Sequence, residues 1–363
     1  MGARVSTELE DRLQSLVDRQ VASGKIRSVV VGVESADRRI AAVSAAGQAY
    51  ADNSSSMTTD SPYFLASITK MYTATVVLKL ARSGQIYLGA PISDYLPAGL
   101  IAGIHVIDGT DHSGQITVAQ LVNQTSGLAD YFDGKPDGGG SLADDLKQGR
   151  DRSLSIEDII AIVRRLSPEF APGAGGKAFY SDTNYALLGA IIESVTGATV
   201  ADGFRQMIFD PLGLADTYVF GTKPDQPRPA DLYMKDRVLD IPLAMSSFAP
   251  DGGVVSTVAE SLRFLRAFFG GELLTADQLA LMTSSWNRLF FPLRYGYGLM
   301  RFQVPRWMSP FKAAPELVGH SGSTGSFAFH NPKRDLYIAG TLNQMDKPNR
   351  PFRLMTQVIG LVD

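Results

Sequence analysis

A serine and a lysine stand three residues apart in the stretch YFLASITKMYTA, which spans residues 63 to 74. On an α-helix, Ser67 and Lys70 would share one face, because Cβ atoms three residues apart lie about 5–6 Å from each other. The hydroxyl and the amine could then touch, as a nucleophile touches the group that activates it. The spacing therefore makes Ser67 a candidate nucleophile and Lys70 a candidate base.

The residues after Ser67 predict a helix that begins beside it. From Ile68 the run ITKMYTATVVLKLARSG has apolar residues at roughly helical spacing and reaches Gly84, which suits the end of a helix. A helix N-terminus offers free N–H groups and the positive end of the helix dipole. A negative charge that develops at Ser67 would be favoured there.

A second pair, Ser309 and Lys312, has the same spacing in SPFKAAPE. Pro310 follows the serine directly and Pro315 comes soon after, so no sustained helix fits there. We interpret this second match as a coincidence.

Lys70 alone would be a poor base, because a lysine amine with a reference pKa near 10.4 is mostly protonated at neutral pH. The segment FYSDTNYALLG offers Tyr180 as a second proton acceptor, just before a predicted apolar helix. A nearby lysine cation favours the phenolate form of a tyrosine, so Tyr180 could relay the serine proton. A tyrosine in such a place is more often a packing residue with a hydrogen-bonded hydroxyl, and this alternative stays open.

Small residues crowd the segment GHSGSTGSF at 319 to 327, which we interpret as an edge strand. Glycine inside a strand often marks the close approach of a ligand or another backbone. If Ser67 attacks a carbonyl group, a strand beside it could supply one of the N–H groups that stabilise the oxyanion. A simple β-turn is the alternative interpretation of this segment.

These three segments, in this order, resemble the motifs of the serine β-lactamase and penicillin-binding-protein-like superfamily, in its class C branch. The matching residues are Ser67-Ile-Thr-Lys70 for SxxK, Tyr180-Ser-Asp182 for YxN, and His320-Ser-Gly322 for KTG or HxG. Further segments similar to the family are ITVAQLVNQTSGL, DGGVVSTVAE and YGYGL. The resemblance covers nearly the whole chain from about residue 10.

The resemblance implies a role for each matching residue. Ser67 would be the nucleophile that becomes acylated, Lys70 would share its proton, and Tyr180 would act as general base and then as general acid. His320 would sit across the cleft as an electrostatic or hydrogen-bonding partner. The oxyanion hole would use the backbone N–H groups of Ser67 and Ser323.

The substrate site departs from the β-lactamase pattern in two places. Asp182 replaces an asparagine and, when ionised, can only accept hydrogen bonds, although Asn184 could substitute for the missing amide. His320 replaces a lysine and is near-neutral at pH 7, so affinity for an anionic β-lactam should fall. In the family, histidine at this place occurs among peptidase-like and esterase-like members. We expect the substrate site to comprise Asp182, Asn184, His320, Gly322 and Ser323.

The order of predicted elements indicates an α+β fold, an α/β sandwich. Strand patterns lie at both ends, as in RSVVVGVES with IAAVSAAG and in DLYIAGTLNQ, whereas helical patterns with capping boxes fill the middle. We therefore expect an antiparallel sheet flanked by helices, built from residues 1–60 and 221–363. An all-helical domain of residues 61–220 would be inserted, with the active site in the cleft between the two.

Composition limits the classes of function. The chain has 363 residues, of which 45% are hydrophobic and 20% charged, a net charge of −3 and no cysteine. Thiol chemistry is excluded, and nucleic acid is not expected as a partner. No stretch approaches the ~18 apolar residues of a membrane span. Taken as given, the sequence leads us to expect a cytoplasmic protein, although an export signal trimmed from its start would leave the same residues.

We therefore predict a serine hydrolase that cleaves small esters or amides through an acyl-enzyme on Ser67. It would resemble a carboxylesterase or a D-amino-acid peptidase, with weak or no β-lactamase activity and no cofactor or metal. A transacylase of the same fold and a penicillin-binding or regulatory protein without turnover remain alternatives. An α/β-hydrolase is disfavoured, because residues 319–323 miss the GxSxG motif at its last residue. The aromatic run WNRLFFPLRYGYG could line an acyl pocket or pack in the core.

Overall fold

Strands from both ends of the chain pair into one antiparallel sheet. The computed structural model describes residues 2–52, 54–304, 307 and 315–362; Ser309 and Lys312 of the second S-x-x-K match lie outside them. The strands in the described residues are β1 (Ser28–Ser35), β2 (Ala41–Gly47), β3 (Tyr63–Phe64), β4 (Val106–Ile107), β5 (Thr110–Asp111), β6 (Tyr218–Val219), β7 (Leu232–Met234), β8 (Arg237–Leu239), β9 (Val254–Ser256), β10 (Asn287–Phe290), β11 (Leu293–Tyr295), β12 (Met300–Phe302), β13 (Leu317–Ser321), β14 (Phe327–Asn331) and β15 (Leu336–Thr341).

The main sheet has the strand order β10-β11-β12-β13-β14-β15-β1-β2, and every neighbouring pair is antiparallel. The join between the two ends of the chain is the pairing of β1 with β15, in which Val30 lies opposite Thr341. The sheet therefore closes only when the last strands of the chain meet the first.

The helices in the described residues are α1 (Gly2–Ala22), α2 (Thr69–Arg82), α3 (Ala98–Ile101), α4 (Val118–Val122), α5 (Leu142–Lys147), α6 (Ile156–Val163), α7 (Asp182–Thr196), α8 (Val200–Phe204), α9 (Asp210–Leu212), α10 (Pro242–Ser247), α11 (Val258–Phe269), α12 (Ala276–Thr283) and α13 (Arg350–Leu361). Four of these helices begin with a Ser or Thr capping box, and one of the four is at Ser155, where the sequence SIED predicts it. Thr257 caps α11, but the side chain of Glu260 binds Thr217 instead of completing a box.

Both faces of the main sheet are buried. Successive side chains of a strand point to opposite faces, so Val30 joins the core that contains α11, whereas Val29 and Val31 join the core that contains α1 and α13. Gly32 lets α11 approach closely, because a Cβ atom there would lie 2.8 Å from Cδ1 of Leu262. The predicted α+β class, an antiparallel sheet between helices, is confirmed.

The middle of the chain is mostly helical and packs around α2 and α7. It also contributes short strands that the sequence did not predict, of which β3 and β6 pair with β9 in a three-stranded sheet. Of this small sheet, β3 directly precedes the turn that carries Ser67. The domain boundaries at residues 60 and 220 stay predictions.

Two strand assignments from the sequence are wrong. The HSG segment belongs to β13, which lies inside the sheet between β12 and β14 and is not an edge strand. The run YGYGLMRFQV, whose composition predicts one strand, does not form one, because a turn separates β11 from β12, with the Gly296 N–H donating to the Leu299 carbonyl. Gly298 has a φ of +70° in that turn, which a strand cannot contain.

Within the described ranges, no single helix has the length and apolar character to cross a membrane. One pair of helices, Asp182–Thr196 with Val200–Leu212, meets those two criteria together but is bent by 79° at the break between them.

Candidate active site

Ser67 lies in a 3₁₀ turn, Ala66–Ile68, that leads directly into α2. Ala66 has a φ of +47°, in the left-handed region that residues with a side chain rarely adopt. Two hydrogen bonds fix the backbone of the preceding residue, Leu65. Its N–H donates to the Val254 carbonyl, and its carbonyl accepts from the Ser326 hydroxyl. The strained backbone is therefore held by β9 on one side and by the turn between β13 and β14 on the other.

Gly322 brings the end of β13 against this turn. A Cβ atom on Gly322 would lie 2.4 Å from the Leu65 carbonyl oxygen and 3.0 Å from the Ala66 Cβ. Only a residue without a side chain allows that approach. Ser323, the next residue, is exposed and lines the same cavity as Ser67, so its N–H stays the predicted second donor of an oxyanion hole.

Lys70 is completely buried beneath Ser67. Its Nζ lies 3.2 Å from Ser67 Oγ, 2.8 Å from the backbone carbonyl of Asp251 and 2.5 Å from Asp182 Oδ1. Burial alone would favour the neutral amine, but Asp182, Tyr180 and Asp251 outweigh it and raise the pKa of Lys70 above its usual value. Lys70 is thus a fixed ammonium group that donates to the Ser67 hydroxyl.

Tyr180 lies just before α7, with its ring 5.1 Å from Lys70 Nζ. Its hydroxyl oxygen is buried near Ser67 and Lys70 but makes no hydrogen bond of ordinary geometry within the described residues. Burial raises the pKa of the Tyr180 phenol, Lys70 opposes the rise, and Asp182 adds to it. Lys70 thus favours the phenolate, in the expected direction, but desolvation of the phenolate outweighs this effect.

Two further carboxyl groups lie near Asp182, and the sequence did not identify either of them as a functional group. Asp130 accepts the N–H of Asp182 at the start of α7, and Asp251 accepts the hydroxyl of Tyr131 at 2.7 Å. Burial, and then the charge of Asp182, raise the pKa of Asp130 to about 8 and that of Asp251 to about 7. The site therefore has more carboxyl groups than cations.

His320 does not face the substrate side of the cleft. It is completely buried, with its ring packed against Tyr180 and Tyr295. Nδ1 lies 2.8 Å from the Ser321 carbonyl and therefore carries the proton, and Nε2 lies 3.2 Å from the Tyr295 hydroxyl. Burial and then Lys70 lower the pKa of His320 to about 3. The expectation that His320 binds the substrate is therefore wrong, because the side chain lies buried behind Tyr180.

Asn184 does not reach the cleft either. It is completely buried, where its side chain accepts from the Ser126 hydroxyl at 2.5 Å and donates to Gln124 at the same distance. Residues two apart on a helix point to different sides, so Asn184 cannot take the place that Asp182 occupies on α7. Its expected role as a substitute amide is therefore wrong.

A cavity of about 1170 Å³ opens above the nucleophile. Ser67, Tyr180, Asp182, Gly322 and Ser323 line it at one end. Apolar side chains form most of the remaining wall, among them Phe132, Leu166, Met234, Leu239, Met245, Phe248, Phe290, Phe291, Phe302 and Phe352. The aromatic run at 286–298 thus supplies both wall residues of the cavity and the buried Tyr295.

Comparison with known proteins decides the family. The Beta-lactamase family model matches residues 13–360, which is nearly the whole chain. The chain belongs to this family. The resemblance predicted from the three motifs is confirmed, and with it the prediction that the protein is a serine hydrolase.

Relatives of the chain include a penicillin-binding protein and an esterase by name. The chain is 28% identical over 290 residues to Penicillin-binding protein 4 of Amycolatopsis lactamdurans, covering 74% of this chain and 68% of that protein. It is 30% identical over 209 residues to Esterase EstB of Burkholderia gladioli, covering 53% of this chain and 50% of the esterase.

A solved structure extends the similarity over the full length. The D-amino acid amidase of Ochrobactrum anthropi SV3, complexed with L-phenylalanine amide, has a TM-score of 0.79 to this chain and 26% identity. The match covers 98% of each chain. The whole arrangement of sheet and helices is therefore shared with this amidase.

Proposed function

We propose that the protein hydrolyses small esters or amides through an acyl-enzyme on Ser67. The observation that carries the proposal is the distance of 3.2 Å between Lys70 Nζ and Ser67 Oγ at the floor of a large, mostly apolar cavity. The names of similar proteins, an esterase and a D-amino acid amidase, support the same classes of substrate.

Lys70 holds the nucleophile and remains a cation throughout. Because its ammonium group donates to Ser67 Oγ, a lone pair of the serine is engaged and the O–H bond is free to point elsewhere. The raised pKa of Lys70 makes it a poor proton acceptor at neutral pH. Its positive charge stabilises the alkoxide character that develops on Ser67 during attack.

Tyr180 is the group that moves the proton. Its phenol is neutral at rest because burial raises its pKa, so it can accept a proton only while it gives one away. We assign it a relay in which both proton transfers belong to one step: as the bond from Ser67 Oγ to the carbonyl carbon forms, the serine proton passes to Tyr180 Oη while the phenol proton passes to the oxygen or nitrogen of the leaving group. The bond from the carbonyl carbon to that protonated group then breaks, and water takes the place of the leaving group as the sequence is reversed in deacylation.

The cavity favours an uncharged, bulky acyl or leaving group. Its aromatic and aliphatic wall offers few hydrogen bonds to a charged substituent, so the loss of water from that substituent would be costly. His320 lies buried behind Tyr180 and is neutral at pH 7, so it does not supply the cation that a β-lactam carboxylate would need. These features support ester or amide hydrolysis over β-lactam hydrolysis.

The test is the initial rate of p-nitrophenyl butyrate hydrolysis by the purified protein and two serine variants. This small activated ester needs little recognition beyond the nucleophile. Ser67→Ala should abolish the rate, whereas Ser309→Ala, which removes the serine of the second S-x-x-K match, should leave it unchanged. An inert wild-type protein, or equal rates for wild type and Ser67→Ala, would contradict the proposal.

A further inference from the structure

The turn between β10 and β11 exposes two adjacent aromatic side chains at the mouth of the cavity. Phe290 is 61% exposed and Phe291 is 64% exposed, and both line the cavity. Among the large hydrophobic side chains that are exposed in the described part of the chain, these are the only two that are neighbours in sequence. Single exposed apolar residues are ordinary, but an adjacent pair that continues an apolar cavity marks an interaction site.

Cationic side chains stand behind these two rings. Arg288 and Arg294 lie directly opposite each other on β10 and β11, and Lys177 lies beside Arg288 through a backbone bridge. All three are exposed, and none of them makes an ion pair within the described ranges. Like charges directly opposite each other on a strand pair are destabilising, so an anion from outside would relieve a repulsion that this hairpin leaves uncompensated.

A fourth cation borders the same mouth from α13. Arg353 is exposed and lines the cavity, and the preceding residue, Phe352, stacks on Phe302 with the ring centroids 4.9 Å apart. Phe302 in turn lies opposite Leu293, next to the turn of the hairpin. The carboxyl groups that line the cavity lie on other segments of the chain: Asp130, Asp133, Glu169, Asp182 and Asp251. Positive charge is therefore concentrated at the hairpin, although the whole chain has a net charge of −3.

The spacing between the aromatic and the cationic side chains fits the surface of a bilayer. Arg288 comes two residues before Phe290, and Arg294 comes two residues after Pro292. Because a strand rises about 3.4 Å per residue, the two arginines lie about 7 Å behind the aromatic tip. Apolar groups that bind a membrane surface enter it by about 5–10 Å, to the boundary between headgroups and acyl chains. At that depth the arginines would stand level with the lipid phosphates.

The outer edge of β10 is already paired where a second copy of the chain would have to add a strand. The Arg288 N–H donates to the Gly176 carbonyl, and the Ala178 N–H donates to the Arg288 carbonyl. The edge is therefore closed to strand addition at this point. This favours a partner that contacts the side chains of the tip and not the backbone of the strand.

We infer that the tip of the β10–β11 hairpin docks on an anionic phospholipid bilayer. Phe290 and Phe291 enter the headgroup region, where aromatic rings are favoured. Arg288, Arg294 and Lys177 bind the lipid phosphates with charge-assisted hydrogen bonds. Because the two aromatic rings also line the cavity, its mouth then opens at the lipid surface.

Sedimentation of the full chain with lipid vesicles tests the inference. Vesicles of phosphatidylcholine with about 30% phosphatidylglycerol should carry the protein down at low salt, and about 0.5 M NaCl should release it. Binding to vesicles of phosphatidylcholine alone should be at least tenfold weaker. Absence of binding to the anionic vesicles, or equal binding to both kinds, overturns the inference. No substrate is present, so the result does not depend on the proposed hydrolysis.

The double variant Arg288→Glu with Arg294→Glu reverses the charge of the hairpin and keeps two like charges opposite each other. Its binding to the anionic vesicles should be weaker than that of the wild type by roughly tenfold or more. Arg82→Glu with Arg152→Glu is the matched control, because it makes the same change of net charge at exposed residues of other segments. The control should bind nearly as the wild type does. Equal losses in the two double variants would show that net charge alone drives binding, against the inference.

The absence of cysteine from the chain allows a direct test of the tip. Phe291→Cys and Tyr87→Cys each place one thiol at an exposed aromatic residue, for labelling with the environment-sensitive dye NBD. On addition of anionic vesicles, NBD at residue 291 should brighten and shift to the blue, whereas NBD at residue 87 should not. The same response at both residues, or at neither, contradicts the inference. A dimer in analytical ultracentrifugation that Phe290→Ser with Phe291→Ser dissociates would show that a second copy of the chain covers the tip instead.

Discussion

The carboxylate of Asp182 lies 2.5 Å from the ammonium group of Lys70, and Lys70 is completely buried while Asp182 is 16% exposed. The residue that departs from the YxN motif is therefore paired with the lysine that holds the nucleophile. This pairing keeps Lys70 charged in a buried site, and it gives the cavity wall a negative group beside Ser67.

Breaking this pair from the lysine side should cost both activity and stability. Lys70→Met leaves Asp182 and Asp251 without their cation, so we expect the loss of ester hydrolysis and about 3–5 kcal/mol of unfolding free energy. The double variant Lys70→Met with Asp182→Asn removes the unpaired charge and should recover much of the stability but none of the activity. Urea denaturation and p-nitrophenyl butyrate rates measure the two effects. Equal stability of the single and double variants would show that the pair is not coupled.

Removal of the Tyr180 hydroxyl should separate activity from stability. Tyr180→Phe takes away the proposed proton relay and should lower kcat about 10²–10⁴-fold. The hydroxyl oxygen has no hydrogen-bond partner among the described residues, so its loss should not destabilise the fold.

Tyr72→Phe is the control for this substitution. The Tyr72 hydroxyl is also buried without a partner in the described part of the chain, but it lies in the core between Phe204, Phe209 and Phe264. Its removal should leave both kcat and the melting temperature close to wild type. A wild-type kcat in Tyr180→Phe would remove Tyr180 from the mechanism.

Gly322→Ala should displace the turn that carries Ser67. The new Cβ atom would lie 2.4 Å from the Leu65 carbonyl oxygen, so backbone must move, and a destabilisation of about 1–3 kcal/mol with a large loss of kcat is expected. Gly252→Ala is the control, because Gly252 lines the same cavity but a Cβ atom there would have no neighbour nearer than 3.5 Å. This substitution should leave kcat nearly unchanged. Equal kcat values in the two variants would contradict the proposed packing of β13 on the turn.

The buried carboxyl groups predict that the protein loses stability as the pH rises. Burial raises the pKa of Asp251 from 3.8 to about 7 and that of Asp130 to about 8, so the native state binds these protons more tightly than the unfolded chain does. Their contribution is fully present below about pH 4 and is lost as the pH rises from there towards 7 and 8.

Asp251→Asn cannot ionise, and its amide oxygen can still accept from Tyr131. Unfolding free energies measured by urea denaturation from pH 4 to pH 8 should therefore fall less steeply in this variant than in the wild type. The same slope in both proteins would mean that Asp251 does not titrate in this range.

The sequence predicted the parts of the site that depend on local geometry. Ser67 and Lys70 meet because three residues along a helical turn bring side chains to one face, and the 3₁₀ turn into α2 keeps that relation. The strands at both ends of the chain also followed from their apolar alternation, and their gathering at the two ends predicted one antiparallel sheet.

The parts that depend on packing across the chain could not be predicted in the same way. Asp251 reaches Lys70 although 181 residues separate them, and nothing in DGGVV marks the aspartate as a charged neighbour of the nucleophile. The burial of His320 depends on the rings of Tyr180 and Tyr295 that pack around it, which its residue type does not reveal. The sequence also did not show where α7 begins. It therefore could not show that Asn184 and Asp182 point to different sides of that helix, which rules out Asn184 as a substitute amide.

The acyl-enzyme itself provides the most direct test of the central claim. The wild-type protein would be mixed with p-nitrophenyl butyrate, quenched in acid during turnover, and examined by intact-mass spectrometry and peptide mapping. We expect one butyryl group per chain, on Ser67 of the peptide that contains SITK, and none in the Ser67→Ala variant. Turnover without any covalent adduct, or an adduct on another serine, would contradict the account.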